Sequence, residues 1–426
     1  VATCAPGIEL LLENELRALL ATAGNAAPNP QIRRTPGGIE FCGKMADGYR
    51  ANLCLRTANR VLLRIIETKA HHPSKVVKKL RKVPWETLFH PGQPVRLETQ
   101  THRFRRLPGP PLEVVLKDAI RTRFAQLDRI PPTFDAVQNA KARQLLFLRL
   151  SEQTVTVSLD SSGALLHKRG YRTSAHRAPI RETLAAALLG SAGYAPTVFA
   201  ARSDEPTGNT SAGGAPAGNT SAGGALAGTP PTSNGATAPP VLVDAMTGAG
   251  TLAIEAALLA RRIPPGCNRT FAFEHWPSFR PRTWKHIQKS AARCILPAAP
   301  HPIFGRDRDA ATIKDARANS RRAGVENDIE WQRADFFTAL PPPTDEPGLI
   351  VCNPPYGRRL PPDDSAQKWA VRFGKRMRSA WPGWRYALVI PGGRWSGYLD
   401  LPIRTRHTWP HGGLKISVLC GTIPAL

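Results

Sequence analysis

The sequence predicts an α/β protein: a Rossmann-like, mostly parallel sheet with helices on both faces fills the C-terminal half, and an α+β region precedes it. Three observations predict this. Strand-like and helix-like runs alternate from residue 241 to 422, and a β-α-β-α order requires parallel strands joined by crossover helices. A Gly-x-Gly turn, Gly248-Ala249-Gly250, lies between the first of these strands and its helix. A second turn, Asn353-Pro354-Pro355-Tyr356, closes the fourth strand, at the carboxyl edge where open α/β sheets bind ligands.

A chain of 426 residues is too long for one ordinary domain. Its 58 Lys and Arg against 32 Asp and Glu leave a net charge of +26. That excess favours a polyanionic partner, nucleic acid first. The basic residues cluster at Lys75–Lys82, His102–Arg106 and Arg372–Arg378. A histone-like protein would share the charge but not the apolar strand-like runs. The excess of Arg over Lys fits a GC-rich genome as well as a function. The 7 cysteines form no Cys-x-x-Cys pair and are odd in number, so neither a zinc site nor a disulfide framework is indicated. Reduced thiols fit a cytoplasmic protein. No run reaches the ~18 apolar residues of a membrane span, and no basic-then-apolar signal peptide is visible. The chain opens on Val1, not Met, which leaves room for a natural start further upstream.

In the first segment, residues 1–67, Ile8–Leu20 has helical apolar spacing with Glu9, Glu13 and Glu15 on the other face. Gly38–Cys42 and Val61–Ile66 look like strands. The second segment, 68–166, holds a basic helix around Lys75–Lys82, a strand at Val95–Thr99, a helix at Glu113–Leu127 and strands at Leu145–Leu150 and Val155–Leu159. A bridging segment, 167–200, carries the helix Ile180–Leu189 behind Pro179. Residues 201–240 are low in complexity, with GNTSAGGAPA at 208–217 repeated as GNTSAGGALA at 218–227. Such a stretch cannot bury a core and is expected to be a disordered insertion. From 241 to 426 come strands at Val241–Ala245, Ile303–Asp307, Ile329–Ala334, Leu349–Cys352, Tyr386–Ile390 and Lys415–Thr422. Helices fall at Thr251–Ala260 and Ala310–Ala323, the latter ended by Gly324. Arg261–Pro302 is too long for a simple link and predicts a local insertion.

Four constellations carry chemistry. The turn Asp244–Thr251 brings Gly248 and Gly250 where backbone can approach a ligand closely. By itself it suits a nicotinamide cofactor, an adenosylmethionine cofactor or a plain tight turn. A ribose needs a carboxylate to accept its hydroxyl hydrogens. Glu274 and Asp307 compete for that role, and Asp307 is preferred because it ends a strand and heads a helix. Asp335-Phe336 follows the third strand, where a carboxylate can accept from an adenine amino group while Phe336 packs on the ring. The fourth, Asn353-Pro354-Pro355-Tyr356, weighs most. An exocyclic base amine is a poor nucleophile because its lone pair is delocalised into the ring. The Asn353 side-chain oxygen and the Pro354 carbonyl can hold both amine hydrogens and steer the lone pair toward a methyl donor. Tyr356 offers a flat face for the base, and the prolines stiffen the turn.

With these in order, the chain resembles class I S-adenosylmethionine-dependent methyltransferases, and more narrowly the THUMP-domain RNA guanine-N2 methyltransferases of the bacterial RlmL type. The likeness also rests on Ala2–Gly7, Tyr49–Leu53, Arg56–Leu62, His167–Arg172, Ala178–Leu188, Phe271–Pro277, Trp284 and Trp409–Lys415. It implies a seven-stranded, mostly parallel catalytic sheet at 241–426, a ferredoxin-like piece at 1–67 and an RNA-gripping THUMP domain at 68–166. The cofactor would be S-adenosyl-L-methionine. Asp244, Thr247, Gly248 and Gly250 would surround its methionine part, Asp307 the ribose, and Asp335 and Phe336 the adenine, with Pro179 and Thr183 close by. Asn353, Pro354 and Tyr356 would hold the target guanine, and the substrate would be RNA, with large-subunit rRNA first. No metal and no membrane partner are expected. The family usually has Pro, Cys and Ser where this chain has Ala245, Thr247 and Ala249. Relatives fused to a second methyltransferase extend further, so a single activity is expected here. A tRNA guanine-N2 or DNA adenine-N6 methyltransferase, or a non-catalytic RNA-binding assembly factor, remain as alternatives.

Overall fold

The structure is a computed structural model that describes residues 1–21, 31–69, 73–104, 109–134, 144–172, 180–194, 241–355, 365–392, 395–411 and 413–425. Pro179, Tyr356 and the low-complexity stretch 201–240 lie outside the described residues. The N-terminal half runs β1 (Ala2–Thr3), α1 (Glu9–Ala21), β2 (Ile32–Thr35), β3 (Gly38–Phe41), α2 (Met45–Cys54), β4 (Arg60–Lys69), α3 (Pro73–Arg81), β5 (Val95–His102), α4 (Leu112–Gln126), β6 (Gln144–Ser151) and β7 (Thr154–Asp160). Helix α1 buries Leu12, Leu16, Leu19 and Leu20, the stripe its spacing predicts. Its acidic residues are less free than expected. Glu15 accepts from the Arg56 and Thr57 backbone N–H groups and from the Thr57 hydroxyl, so it caps the turn after α2.

Among the described residues one seven-stranded sheet, ordered β2-β3-β1-β4-β7-β6-β5, runs through this whole half. The boundary expected at 67/68 falls inside β4, which pairs with β1 on one side and β7 on the other. The strand therefore joins the two N-terminal pieces in one hydrogen-bonded surface.

The chain continues through α5 (Glu182–Ser191), β8 (Leu242–Asp244), α6 (Thr251–Ala260), α7 (Pro281–Arg293), β9 (Ile303–Asp307), α8 (Ala310–Ala323), β10 (Glu330–Arg333), β11 (Leu349–Cys352), α9 (Ala366–Ala380), β12 (Arg385–Pro391), α10 (Trp395–Leu399), β13 (Thr405–His411) and β14 (Leu414–Thr422). The second seven-stranded sheet has the order β10-β9-β8-β11-β12-β14-β13. Neighbours from β10 to β12 are parallel, and β14 is antiparallel to both β12 and β13. The mostly parallel seven-stranded expectation holds. Its seventh strand is β13, which carries Pro410 and sits at the edge, where a missing ladder donor is tolerated. Helix α6 is apolar nearly all round because it packs against α5, α8 and the sheet at once.

The two halves meet at a buried polar junction. Arg56 donates to the carbonyls of Leu258 and Ile263, at the end of α6. Arg169 donates to the Arg56 carbonyl and lies 3.6 Å from Glu255, while the Tyr171 hydroxyl donates to Glu255. Tyr49 of α2 stacks on Phe273 of the segment after α6, at 4.3 Å between ring centres.

Candidate active site

The sheet order reverses between β8 and β11. The connection from β8 leads to β9 on one side, and the chain returns from β10 to β11 on the other. At that point the loops diverge and leave a crevice at the carboxyl edge. The parallel registers pair Asp244 with Gly305 and with Val351, and Arg333 with Asp307. Asp307 and Asn353 thus lie two residues past the level of Asp244, and Asp335 two past that of Asp307. Four of the predicted site residues, on four strands, share one edge.

Gly248 and Gly250 both have left-handed backbone, with φ of +53° and +83°. Around Gly248 a Cβ would meet nothing within 4 Å, so its side faces open space. At Gly250 a Cβ would lie 2.9 Å from the Trp331 ring and 3.1 Å from Ala316. The same Trp331 ring would stand 2.3 Å from a Cβ on Gly305 of β9. Gly250 and Gly305 are therefore small so that Trp331 of β10 can pack across the sheet.

Asp244 is fully buried at the end of β8. Its Oδ2 accepts from the Thr247 hydroxyl at 2.7 Å and the Ala253 N–H at 3.3 Å, while its Oδ1 has no hydrogen-bond partner. Burial, helped by the nearby Asp307 charge, pushes this carboxyl up to about 7. Thr247, where the resembled family usually has Cys, supplies a full hydroxyl donor to that carboxyl. Asp307 accepts from the Gly248 N–H at 3.1 Å and from the Asp309 N–H at 3.1 Å, which ties the strand end to the glycine turn. Glu274, the competing carboxylate, is occupied in its own short turn, accepting from the Phe271 N–H at 2.8 Å.

Asp335 is exposed and accepts from the Phe337 N–H at 2.8 Å. Phe336 is buried and stacks on Phe373 of α9 at 4.5 Å. The less covered ring of this turn is Phe337, with the Arg372 guanidinium 4.2 Å above it. Asn353 is half-buried just past β11, and its Oδ1 is enclosed without a hydrogen-bond partner. Pro354 is buried behind it. Thr183 is buried at the start of α5 with its hydroxyl 3.4 Å from Asn59 Oδ1; the structure turns it toward the N-terminal half.

The sequence reading missed the residues that brace the site. Asn319 of α8 donates to the Ala249 carbonyl at 2.9 Å, in the middle of the glycine turn. Arg376 of α9 donates to the carbonyls of Phe336 and Ala339 and so holds the Asp335 turn from behind. Each bonds to backbone far away in sequence, and no local pattern announces such a contact.

Residues 229–392 match the family described as RMKL-like, methyltransferase domain, and residues 1–62 match the RlmL ferredoxin-like domain. The chain is similar to the ribosomal RNA large subunit methyltransferase K/L of Syntrophotalea carbinolica, at 30% identity over 98% of this chain and 52% of that protein. It thus spans about half the length of that relative. A candidate RNA methyltransferase of Synechocystis, slr0064, is 26% identical over 98% of this chain and 95% of its own length. Among solved structures, the candidate methyltransferase SMU.472, crystallised with S-adenosylhomocysteine, superposes with a TM-score of 0.75 at 22% identity, covering 100% of this chain and 97% of that one. That likeness shows a shared fold.

Proposed function

We propose that this chain, a member of the RMKL-like methyltransferases with an RlmL-type ferredoxin-like domain at its N-terminus, transfers a methyl group from S-adenosylmethionine to an exocyclic amine of an RNA base, N2 of a guanine in large-subunit rRNA. The rRNA target is supported by the K/L relatives, and the cofactor by the family and by the S-adenosylhomocysteine in the superposable structure. Gly248 supplies a fit test in this chain: the space a Cβ would enter there is open, and the strand end that feeds the turn carries a buried Asp244 oxygen that lacks a partner. S-adenosylmethionine brings an electrophilic methyl on a sulfonium, and its cationic groups favour the ionised form of a carboxyl that burial otherwise neutralises. Asp244, steadied by Thr247, would hold the methionine part, Asp307 would accept from the ribose hydroxyls, and Asp335 would accept from the adenine amine. Phe336 anchors that last turn in the core.

The observation that carries the reading is the enclosed, unpartnered Oδ1 of Asn353. An acceptor kept from both water and protein donors is costly unless a ligand completes it. An amine N–H would do so, with the Pro354 carbonyl taking the second hydrogen. The base must be flipped out or already unpaired to reach this edge. Asn353→Ala is expected to lower kcat by at least about a hundredfold, while calorimetric affinity for S-adenosylmethionine stays within about twofold of wild type. Equal loss of both would contradict the role.

A further inference from the structure

The insertion between α6 and β9 carries a basic feature that methyl transfer itself does not use. Helix α7 is strongly two-faced. At ~100° per residue, Arg282, Lys285, His286, Lys289 and Arg293 fall within a ~100° arc, with Trp284, Ile287 and Ala291 opposite. The structure agrees: Trp284 and Ile287 are buried, and all five basic positions are exposed. The apolar face is anchored, with Trp284 edge-on to Phe271 and Phe273 and the helix packed on α2. The basic face is not neutralised. Residues 277–300 contain five Lys and Arg and no Asp or Glu, and among the described residues none of these cations is paired with a carboxylate. Elsewhere on this surface such pairs are common, as in Arg123–Glu86 and Arg321–Glu326. An ordinary solvated helix face mixes both signs.

Position gives the stripe its partner. The Ser278 N–H donates to the Thr87 carbonyl at 3.1 Å, and the Arg280 N–H to the Tyr49 hydroxyl at 3.4 Å. The start of α7 is thereby fixed against the turn that follows α3, whose Lys75, Lys78, Lys79 and Arg81 are also exposed. We infer that α7 is a phosphate-binding rail: its cations, about one helical turn or ~5.4 Å apart, grip the backbone of the same RNA that the basic N-terminal half engages. This rests on the RNA reading above and adds a surface of the catalytic half to it.

The test is RNA affinity as a function of salt, measured by anisotropy with a labelled large-subunit rRNA fragment and the full chain. The variant Arg282→Gln/Lys285→Gln/Lys289→Gln is expected to bind about tenfold or more weakly and to flatten the log K against log salt slope by about 2–3. S-adenosylmethionine affinity and the melting temperature should not move, because all three side chains are exposed. The charge-keeping variant Arg282→Lys/Lys285→Arg/Lys289→Arg should behave as wild type. If wild type binds RNA and the Gln variant binds with the same affinity and slope, the rail is overturned while the RNA reading stands. If wild type does not bind RNA, the reading fails and the rail with it.

Discussion

Gly248 and Gly250 stand two residues apart, yet their surroundings give them different duties. Both have positive φ, which costs a non-glycine residue about 1–2 kcal/mol. Around Gly248 there is room for a methyl group; at Gly250 the methyl would strike Trp331. Gly248→Ala should therefore lower unfolding stability by only about 1–2 kcal/mol but weaken S-adenosylmethionine binding by tenfold or more, about 1.4 kcal/mol. Gly250→Ala should cost about 2–5 kcal/mol of stability, adding overpacking to backbone strain. Denaturant melts and calorimetry on the two variants read this directly. Equal stability losses would mean that Trp331 yields. At this scale the sequence was informative about which residues converge. Asp244 and Asp307 end strands, Asn353 and Asp335 follow strands within two residues, and strand ends are visible in a one-dimensional pattern. It could not show that Phe336 turns into the core while Phe337 is left less covered, because adjacent side chains in a turn are sorted by what packs on them.

Elements were legible wherever their own periodicity was strong. Helix α6, apolar nearly all round, and the apolar β8 and β11 read correctly because burial on every side leaves almost only apolar positions. Strand β13 did not: Thr405–His411 holds Pro410 and two histidines, and only its seat at the sheet edge makes that acceptable. Helices α3 and α9 were visible as basic clusters and α7 only as part of a local insertion; the amphipathic faces of α7 and α9 become meaningful once α2 and Trp395 are seen against them. The junction at α6 was invisible to pattern reading, since Glu255 sits in an otherwise apolar run. Its partners Arg169 and Tyr171 come from the bridging segment. Glu255→Ala leaves Arg169 and the nearby Arg56 buried without it and is expected to destabilise the chain by about 3–5 kcal/mol in urea melts. Glu255→Gln, which keeps an oxygen for the Tyr171 hydroxyl, should cost less. A loss below about 0.5 kcal/mol for the alanine variant would show that the junction contributes little to stability.

At the scale of the whole molecule, two seven-stranded sheets meet through Arg56, Arg169 and Tyr49, and in the proposed function this junction sets where RNA can lie relative to the Asn353 edge. On the proposed reading, net charge draws a polyanion to the surface, the N-terminal sheet and α7 grip its backbone, and the carboxyl edge of the second sheet receives one base. None of the described helices is long and apolar enough to cross a membrane. The acceptor pair at Asn353 and Pro354 suits any planar exocyclic amine, so the identity of the methylated base decides the account. The direct measurement is to incubate the purified chain with methyl-labelled S-adenosylmethionine and large-subunit rRNA from cells lacking the gene, then digest the RNA and separate the nucleosides. The account predicts label in N2-methylguanosine, abolished by Asn353→Ala. Label in N6-methyladenosine, or none in RNA when the chain binds cofactor normally, would contradict it.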